Sequence, residues 1–210
     1  RVNCAAIPDT LIESELFGYK KGVFTGAVRD SEGLFQSAEG GTLLLDEVGE
    51  MPLSTQVRVL RALQERRIRP VGGTEEVKVD LRIIASTNRD LESEVREGRF
   101  REDLFYRLKV VHITLPPLRK RLSDLAALVE HFVQKYAQEF GKPKVQLAEE
   151  AQQVLSSHSW PGNVRELENV IQRGVALCRA DRIEIDDLPP ELAAASMREL
   201  PLATEVGEDG

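Results

Sequence analysis

Thr42-Leu43-Leu44-Leu45-Asp46-Glu47 is a short run of apolar residues that stops abruptly on two acids. A run this short and this apolar reads as a strand buried within a parallel sheet, because such strands are covered on both faces and show no alternation. A second run, Val79 to Ser86, has the same character and ends in Thr87-Asn88. Two neighbouring parallel strands of this kind deliver acids and amides to one carboxyl-end edge, which is where open α/β sheets take their ligands.

Outward from this pair, Pro8 to Phe17 reads as a helix. Leu53 to Arg66 carries Val57, Leu60 and Leu63 at helical spacing with Ser54 near its start, and reads as a covering helix. Ile68 to Val71 and Glu75 to Val79 flank Gly72-Gly73-Thr74, which predicts a protruding β-hairpin weakened by Pro70. Residues 1–117 are therefore expected to form an α/β domain. From Leu122 the period becomes helical. Leu125, Leu128, Val129, Phe132, Val133 and Tyr136 make one apolar stripe that ends at Gly141 and Pro143. A second helix is expected over Ala148 to His158. Trp160-Pro161-Gly162-Asn163 reads as a turn, with Trp160 anchoring it and Asn163 capping a third helix to about Cys178. Residues 118–195 form this helical part, and the polar, aperiodic stretch 196–210 reads as a linker or tail.

Composition narrows the function. With 41% hydrophobic and 30% charged residues, the chain reads as globular, and no apolar run reaches membrane-spanning length. A net charge of −7 argues against broad binding to nucleic-acid phosphates. Arg119-Lys120-Arg121 is at most a local basic patch, and three such residues are more often a solvated helix entry. Cys4 and Cys178 lack metal or redox spacing and read as buried thiols. His112, His131 and His158 likewise lack metal-ligand spacing and are expected at the surface or core edge. The start, Arg1-Val2-Asn3-Cys4, has neither Met nor a signal-peptide layout, and leads us to expect an excised piece of a cytosolic protein.

Two constellations bear chemistry. Asp46-Glu47 suits nucleotide hydrolysis, one carboxylate holding Mg²⁺ and the next polarising water, but by itself it equally suits two solvated acids. Arg101 and Arg107 are six residues apart and do not share a helical face. From a loop and a following helix they can reach a neighbouring subunit's phosphate, where such an arginine is worth roughly 10³ to 10⁵ in rate. Taken singly, arginines in this setting are better read as surface ion-pair partners, here of Glu102 and Asp103. Gly22-Val23-Phe24-Thr25-Gly26-Ala27 places an aromatic ring and a hydroxyl between glycines, and reads as a solvent-facing contact loop.

Asn3-Cys4-Ala5-Ala6, Glu15-Leu16-Phe17-Gly18, Gly22 to Ala27, Gly41 to Glu47, Arg82 to Asn88, Phe100 to Leu104 and Trp160 to Leu167 occur in the order seen in sigma-54-dependent transcription activators. The chain resembles their central AAA+ ATPase domain over residues 1 to about 195. The resemblance implies a P-loop-type parallel sheet with helices on both faces, followed by a small all-helical lid. It implies ATP and Mg²⁺ as cofactors, with Asp46 and Glu47 as the Walker B acids and Asp46 holding the metal. It implies that Asn3 pairs with the catalytic Glu47, that Thr87 and Asn88 are sensor I, that Arg101 and Arg107 are arginine fingers, and that Arg165 is the sensor II arginine of the lid. Gly22 to Ala27 match the loop that contacts the sigma factor, usually written Gly-Ala-Phe-Thr-Gly-Ala, with Val23 in place of Ala; the Gly72-Gly73 hairpin matches a second insertion beside it.

The implied partners are sigma-54 RNA polymerase and further copies of the chain, in a hexameric or heptameric ring. The implied setting is the bacterial cytoplasm, with no membrane contact and with DNA reached only through another domain. No Gly-x-x-x-x-Gly-Lys-Ser/Thr phosphate loop occurs. In the family it lies upstream of the position of Asn3, so the chain is expected to start after it, and tight ATP binding and turnover are expected of the parent protein. Two other readings stay open: an AAA+ machine acting on another protein, and a nucleotide-independent interaction fragment.

Overall fold

The computed structural model describes residues 1–179 and 181–192. It divides into two compact units, Arg1–Ile113 and the chain from Thr114 onward. The sequence-predicted tail 196–210 lies outside the described residues.

The first unit is built on a three-stranded parallel sheet. Its strands are β1 (Val2–Asn3), β4 (Thr42–Asp46) and β7 (Arg82–Ala85), in the order β1-β4-β7. The apolar run is the central strand: Leu43 and Leu45 are 3% and 0% exposed. Its register pairs Asn3 with Asp46 on one side and Leu45 with Ala85 on the other. The strand expected over Val79 to Ser86 is regular only from Arg82 to Ala85. It forms an edge and is not buried, with Ile84 46% exposed. Helices α1 (Asp9–Phe17), α2 (Leu34–Ser37), α3 (Leu53–Glu65), α4 (Leu91–Arg96) and α5 (Glu102–Leu108) surround this sheet.

The periodicity of α3 is that of a half-buried helix. Thr55, Gln56, Val59, Leu60 and Ala62 are buried, and the last three share one core with Leu16, Phe17, Phe35, Leu45 and Leu104. Ser54 does not cap it. Pro52 holds the cap position, where its missing N–H is no loss. Phe17 stacks on Phe35 with ring centroids 5.2 Å apart, and the Arg58 guanidinium lies 4.4 Å over the Phe17 ring.

The predicted hairpin is present but short. Strands β5 (Arg67–Ile68) and β6 (Val77–Lys78) pair antiparallel for two residues each, and the intervening residues form an irregular loop. Pro70 has no N–H for a ladder, and its carbonyl instead accepts from Gly73 at 3.0 Å. The small antiparallel pair β2 (Gly18–Tyr19) and β3 (Ser31–Glu32) brackets the Gly22 to Ala27 loop.

The second unit packs α6 (Leu125–Glu139), α7 (Glu149–Ser157) and α8 (Asn163–Leu177), joined by one two-residue parallel pair, β8 (Gln146–Leu147) with β9 (Arg182–Ile183). The α6 stripe is core: Leu125, Val129, Phe132, Val133 and Tyr136 cluster with Leu167, Ile171 and Val175. Trp160 is 0% exposed, and its indole N–H donates to the Leu155 carbonyl at 3.0 Å. Asn163, expected as the cap of α8, does other work. Gly162 occupies the cap, its N–H donating to Glu166 at 2.7 Å, while Asn163 Oδ1 accepts from Leu118 N–H at 2.8 Å. A carboxylate one turn into the helix thus satisfies the cap residue's own N–H, while the Asn163 amide is engaged outside the helix. At the other end of α8, the Lys142 ammonium donates to the carbonyls of Val175, Ala176 and Cys178, where a cation meets the negative end of the helix.

Candidate nucleotide-hydrolysis edge and contact loop

The carboxyl ends of β4 and β7 place Asp46, Glu47, Ser86, Thr87 and Asn88 together. Parallel pairing puts Leu45 beside Ala85, and two backbone bonds continue it, Ser86 N–H to Leu45 carbonyl (2.9 Å) and Val48 N–H to Ser86 carbonyl (3.0 Å). Asp46 accepts from the Ser86 hydroxyl at 2.7 Å and from Arg1 at 2.8 Å. Those two bonds, Ser86 first, hold its carboxyl below the ordinary range and keep it ionised. Ser86 was absent from the sequence-predicted set. Its place directly after Ala85 on the adjacent strand is the signal that points to it.

Glu47 turns the chain out of the strand with φ 55° and ψ 49°, a left-handed conformation that costs a non-glycine residue about 1–3 kcal/mol. The conformation is held by its neighbours: the Glu50 N–H donates to the Glu47 carbonyl at 3.0 Å, and the Asn88 N–H reaches the Glu47 carboxylate at 3.3 Å. Asn3 lies across from Asp46 in register, but its Oδ1 accepts from the Ala5 N–H at 2.9 Å, and no Asn3–Glu47 hydrogen bond exists among the described residues. Cys4, one residue on, is buried. Burial first, and then the Asp46 and Glu47 charges, push its thiol up to about 11, so it stays protonated and inert.

Behind this edge, Arg89 donates its backbone N–H to Thr87 Oγ1 (3.1 Å) and its guanidinium to Glu50 (2.5 Å) and Glu94 (3.1 Å). Glu94 is buried and also receives Arg99 through two nitrogens, at 2.8 and 2.6 Å. Arg99, the first of these partners, draws the Glu94 carboxyl down to about 2. Arg101 stands just before the first residue of α5 and Arg107 sits in its last turn, so they do not share a face. Both are exposed. Arg101 makes a two-point pair with Asp103 (3.0 and 2.7 Å), and Arg107 donates to the Leu63 carbonyl at 2.8 Å. Arg165 is exposed in the first turn of α8, in the second unit.

The Gly22 to Ala27 loop is closed by its own backbone. Gly22 N–H donates to Ala27 carbonyl (2.8 Å) and Ala27 N–H to Phe24 carbonyl (3.0 Å), while Gly22 and Gly26 take φ of 85° and 102°. Ala27 is buried at its foot, whereas Val23 and Phe24 are 38% and 40% exposed. Phe24 leans on Tyr19, with centroids 4.9 Å apart. The hairpin loop packs beside it. Lys20 N–H donates to Val71 carbonyl (3.0 Å), Val71 N–H donates to Gly18 carbonyl (2.8 Å), and a Cβ on Gly72 would fall 2.2 Å from Val23 Cγ2. With φ +74° as well, position 72 suits only glycine.

The chain matches two family models: a sigma-54 interaction domain over residues 1–114 and an AAA+ ATPase lid domain over residues 119–204. It is 54% identical over 192 residues to the regulatory protein AtoC of Escherichia coli, covering 91% of this chain and 42% of AtoC. With the response regulator protein PilR of Pseudomonas aeruginosa it shares 52% identity over 187 residues, 89% of this chain and 42% of PilR. It therefore spans roughly two-fifths of the length of these relatives. Among solved structures, NtrX from Brucella abortus in complex with ADP superposes with a TM-score of 0.84 at 41% identity, covering 97% of this chain and 45% of NtrX. The Saccharomyces cerevisiae Hsp104:casein complex, at 19% identity and a TM-score of 0.59, shares the fold over 84% of this chain and 34% of that one.

Proposed function

Because the chain belongs to the sigma-54 interaction domain family, with an AAA+ ATPase lid behind that domain, we propose that its protein hydrolyses ATP within a self-associated ring and remodels sigma-54 RNA polymerase at promoters. The observation that carries this reading is the joining of two features in one unit: an acidic strand end braced by the adjacent strand, and an exposed Phe24-Thr25 tip on a closed loop. The first suits hydrolysis and the second suits contact.

Asp46 would hold Mg²⁺, since it is an ionised hard oxygen donor at a partly open strand end. Bound there, the metal would neutralise phosphate charge. Glu47 would orient and polarise the attacking water, Thr87 and Asn88 would report the terminal phosphate, and Arg165 would contact nucleotide from the lid. Arg101 and Arg107 would serve a neighbouring copy's nucleotide, Arg101 leaving Asp103 to do so. ADP binding by NtrX, a relative of known structure, supports a nucleotide site of this kind. The setting would be the bacterial cytoplasm.

Two substitutions in the full-length protein test the two halves separately. Glu47→Ala should abolish ATP turnover, and turnover at the wild-type rate would sink the assignment of the acids. Thr25→Ala should leave turnover within about twofold of wild type while open-complex formation at a sigma-54 promoter is lost, as expected for a contact that does not touch the reacting atoms; unchanged transcription would remove the loop from the mechanism.

A further inference from the structure

We infer that Gln56 is a positioning residue for Arg101, fastening the segment that carries this arginine to the turn that leaves the acidic strand end. The inference rests on the arginine assignment proposed above. Gln56 sits in the first turns of α3 and is 0% exposed. Its amide nitrogen donates to the Met51 carbonyl at 2.8 Å and to the Arg99 carbonyl at 3.0 Å, and its amide oxygen accepts from the Arg101 backbone N–H at 2.8 Å. A neutral carboxamide can give two hydrogens and accept a third from one rigid plane, and at this reach only glutamine does so. Met51 closes the turn that begins at Glu47, with its N–H on the Val48 carbonyl at 3.2 Å. One side chain thus spans from the exit of the acids to the base of Arg101.

A second route runs parallel to the first. Thr87 and Glu50 hold Arg89, Arg89 holds Glu94, and Glu94 holds Arg99, through both its carboxylate and its backbone carbonyl, which accepts from Arg99 and Phe100 at 2.9 and 3.1 Å. Phe100, between the two anchored arginines, is 2% exposed. The result is an arginine with a fixed backbone and an exposed guanidinium: its base moves only if the turn after Glu47 moves. Gln56 makes the arginine offered to a neighbouring copy answer to the state of this copy's own acidic edge.

The test is a double-substitution cycle in the full-length protein, with ATP hydrolysis measured across ATP concentrations. Gln56→Leu removes all three bonds and should lower kcat roughly 10- to 100-fold, the scale of an ångström-level misplacement, with KM for ATP within about twofold. Combined with Arg101→Ala it should add nothing beyond Arg101→Ala itself, which a general loss of structure would not reproduce. Should Gln56→Leu not fold, Gln56→Glu keeps the acceptor for Arg101 N–H and should show a smaller fall, roughly 3- to 10-fold, with the same lack of additivity. Wild-type kcat in the folded variant, or a double variant reduced by the product of the single effects, overturns the inference where Arg101→Ala is itself impaired but keeps measurable turnover. If Arg101→Ala itself turns over ATP at the wild-type rate, the arginine assignment fails and this inference falls with it.

Discussion

The acidic strand end and the Gly22 to Ala27 loop lie in the same unit and are built on opposite terms. At the strand end the acids and the arginine behind them are held by groups from elsewhere in the unit: Asp46 by Ser86, Glu47 by the Asn88 N–H, Arg89 by Glu50 and Glu94. At the loop, the backbone closes on itself and leaves the Phe24 ring and the Thr25 side chain outward. A site that does chemistry needs its groups fixed beforehand, whereas a tip that meets a partner needs area left uncovered. The difference predicts that damage to the first shows in the rate of hydrolysis and damage to the second only in what hydrolysis accomplishes.

The comparison breaks most sharply at Glu47, where loss of a base that orients water is expected to cost about 10² to 10⁴ in turnover, read by steady-state ATP hydrolysis. A loss of the same size on changing Phe24 would abolish the distinction. Ser86→Ala comes next. Removing the hydroxyl that braces Asp46 should lower turnover roughly tenfold and leave the secondary structure intact by circular dichroism. Smaller again is Gly72→Ala, which imposes a left-handed conformation on alanine, about 1–2 kcal/mol, and drives its methyl into Val23. Urea unfolding should show Val23→Ala restoring the steric part in the double variant and leaving the conformational part.

The least effect is a pH dependence confined to the scaffold behind the acids. Glu94 has its carboxyl held down to about 2, so the stability it lends is complete above the unfolded carboxylate range, near 4.3, and disappears as pH falls through the folded value. Glu94→Gln should flatten the acid unfolding curve between these two limits, measured by fluorescence or circular dichroism.

Much of the frame was legible because it is written in local periods. Leu43 to Leu45 as a covered strand, α3 and α6 as half-buried helices, and Trp160 as a turn anchor each follow from spacing and residue type within one element. The strand ends were readable for the same reason, since an apolar run that stops on acids fixes which end of the sheet they occupy. What was not legible depends on partners far along the chain. Arg89 and Glu50 are 39 residues apart, Gln56 and Arg101 are 45, and no periodicity couples them. Asn163 failed as a cap because its amide oxygen accepts from the Leu118 N–H, 45 residues away in sequence, and the cap position falls to Gly162, whose N–H donates to Glu166, which a turn motif does not encode. The β7 strand, Arg82-Ile83-Ile84-Ala85, is as apolar as a covered strand, and its exposure among the described residues depends on which other strands pair with it, which no local pattern encodes.

The fit of Gly72 against Val23 also constrains how this protein can change. A larger residue at position 23 presses on the neighbouring loop, and any side chain at position 72 presses back, so the sizes of these two residues limit each other. The foot of the proposed contact tip is therefore tied at residue 23 to the hairpin beside it, and growth at that position needs room made on the hairpin.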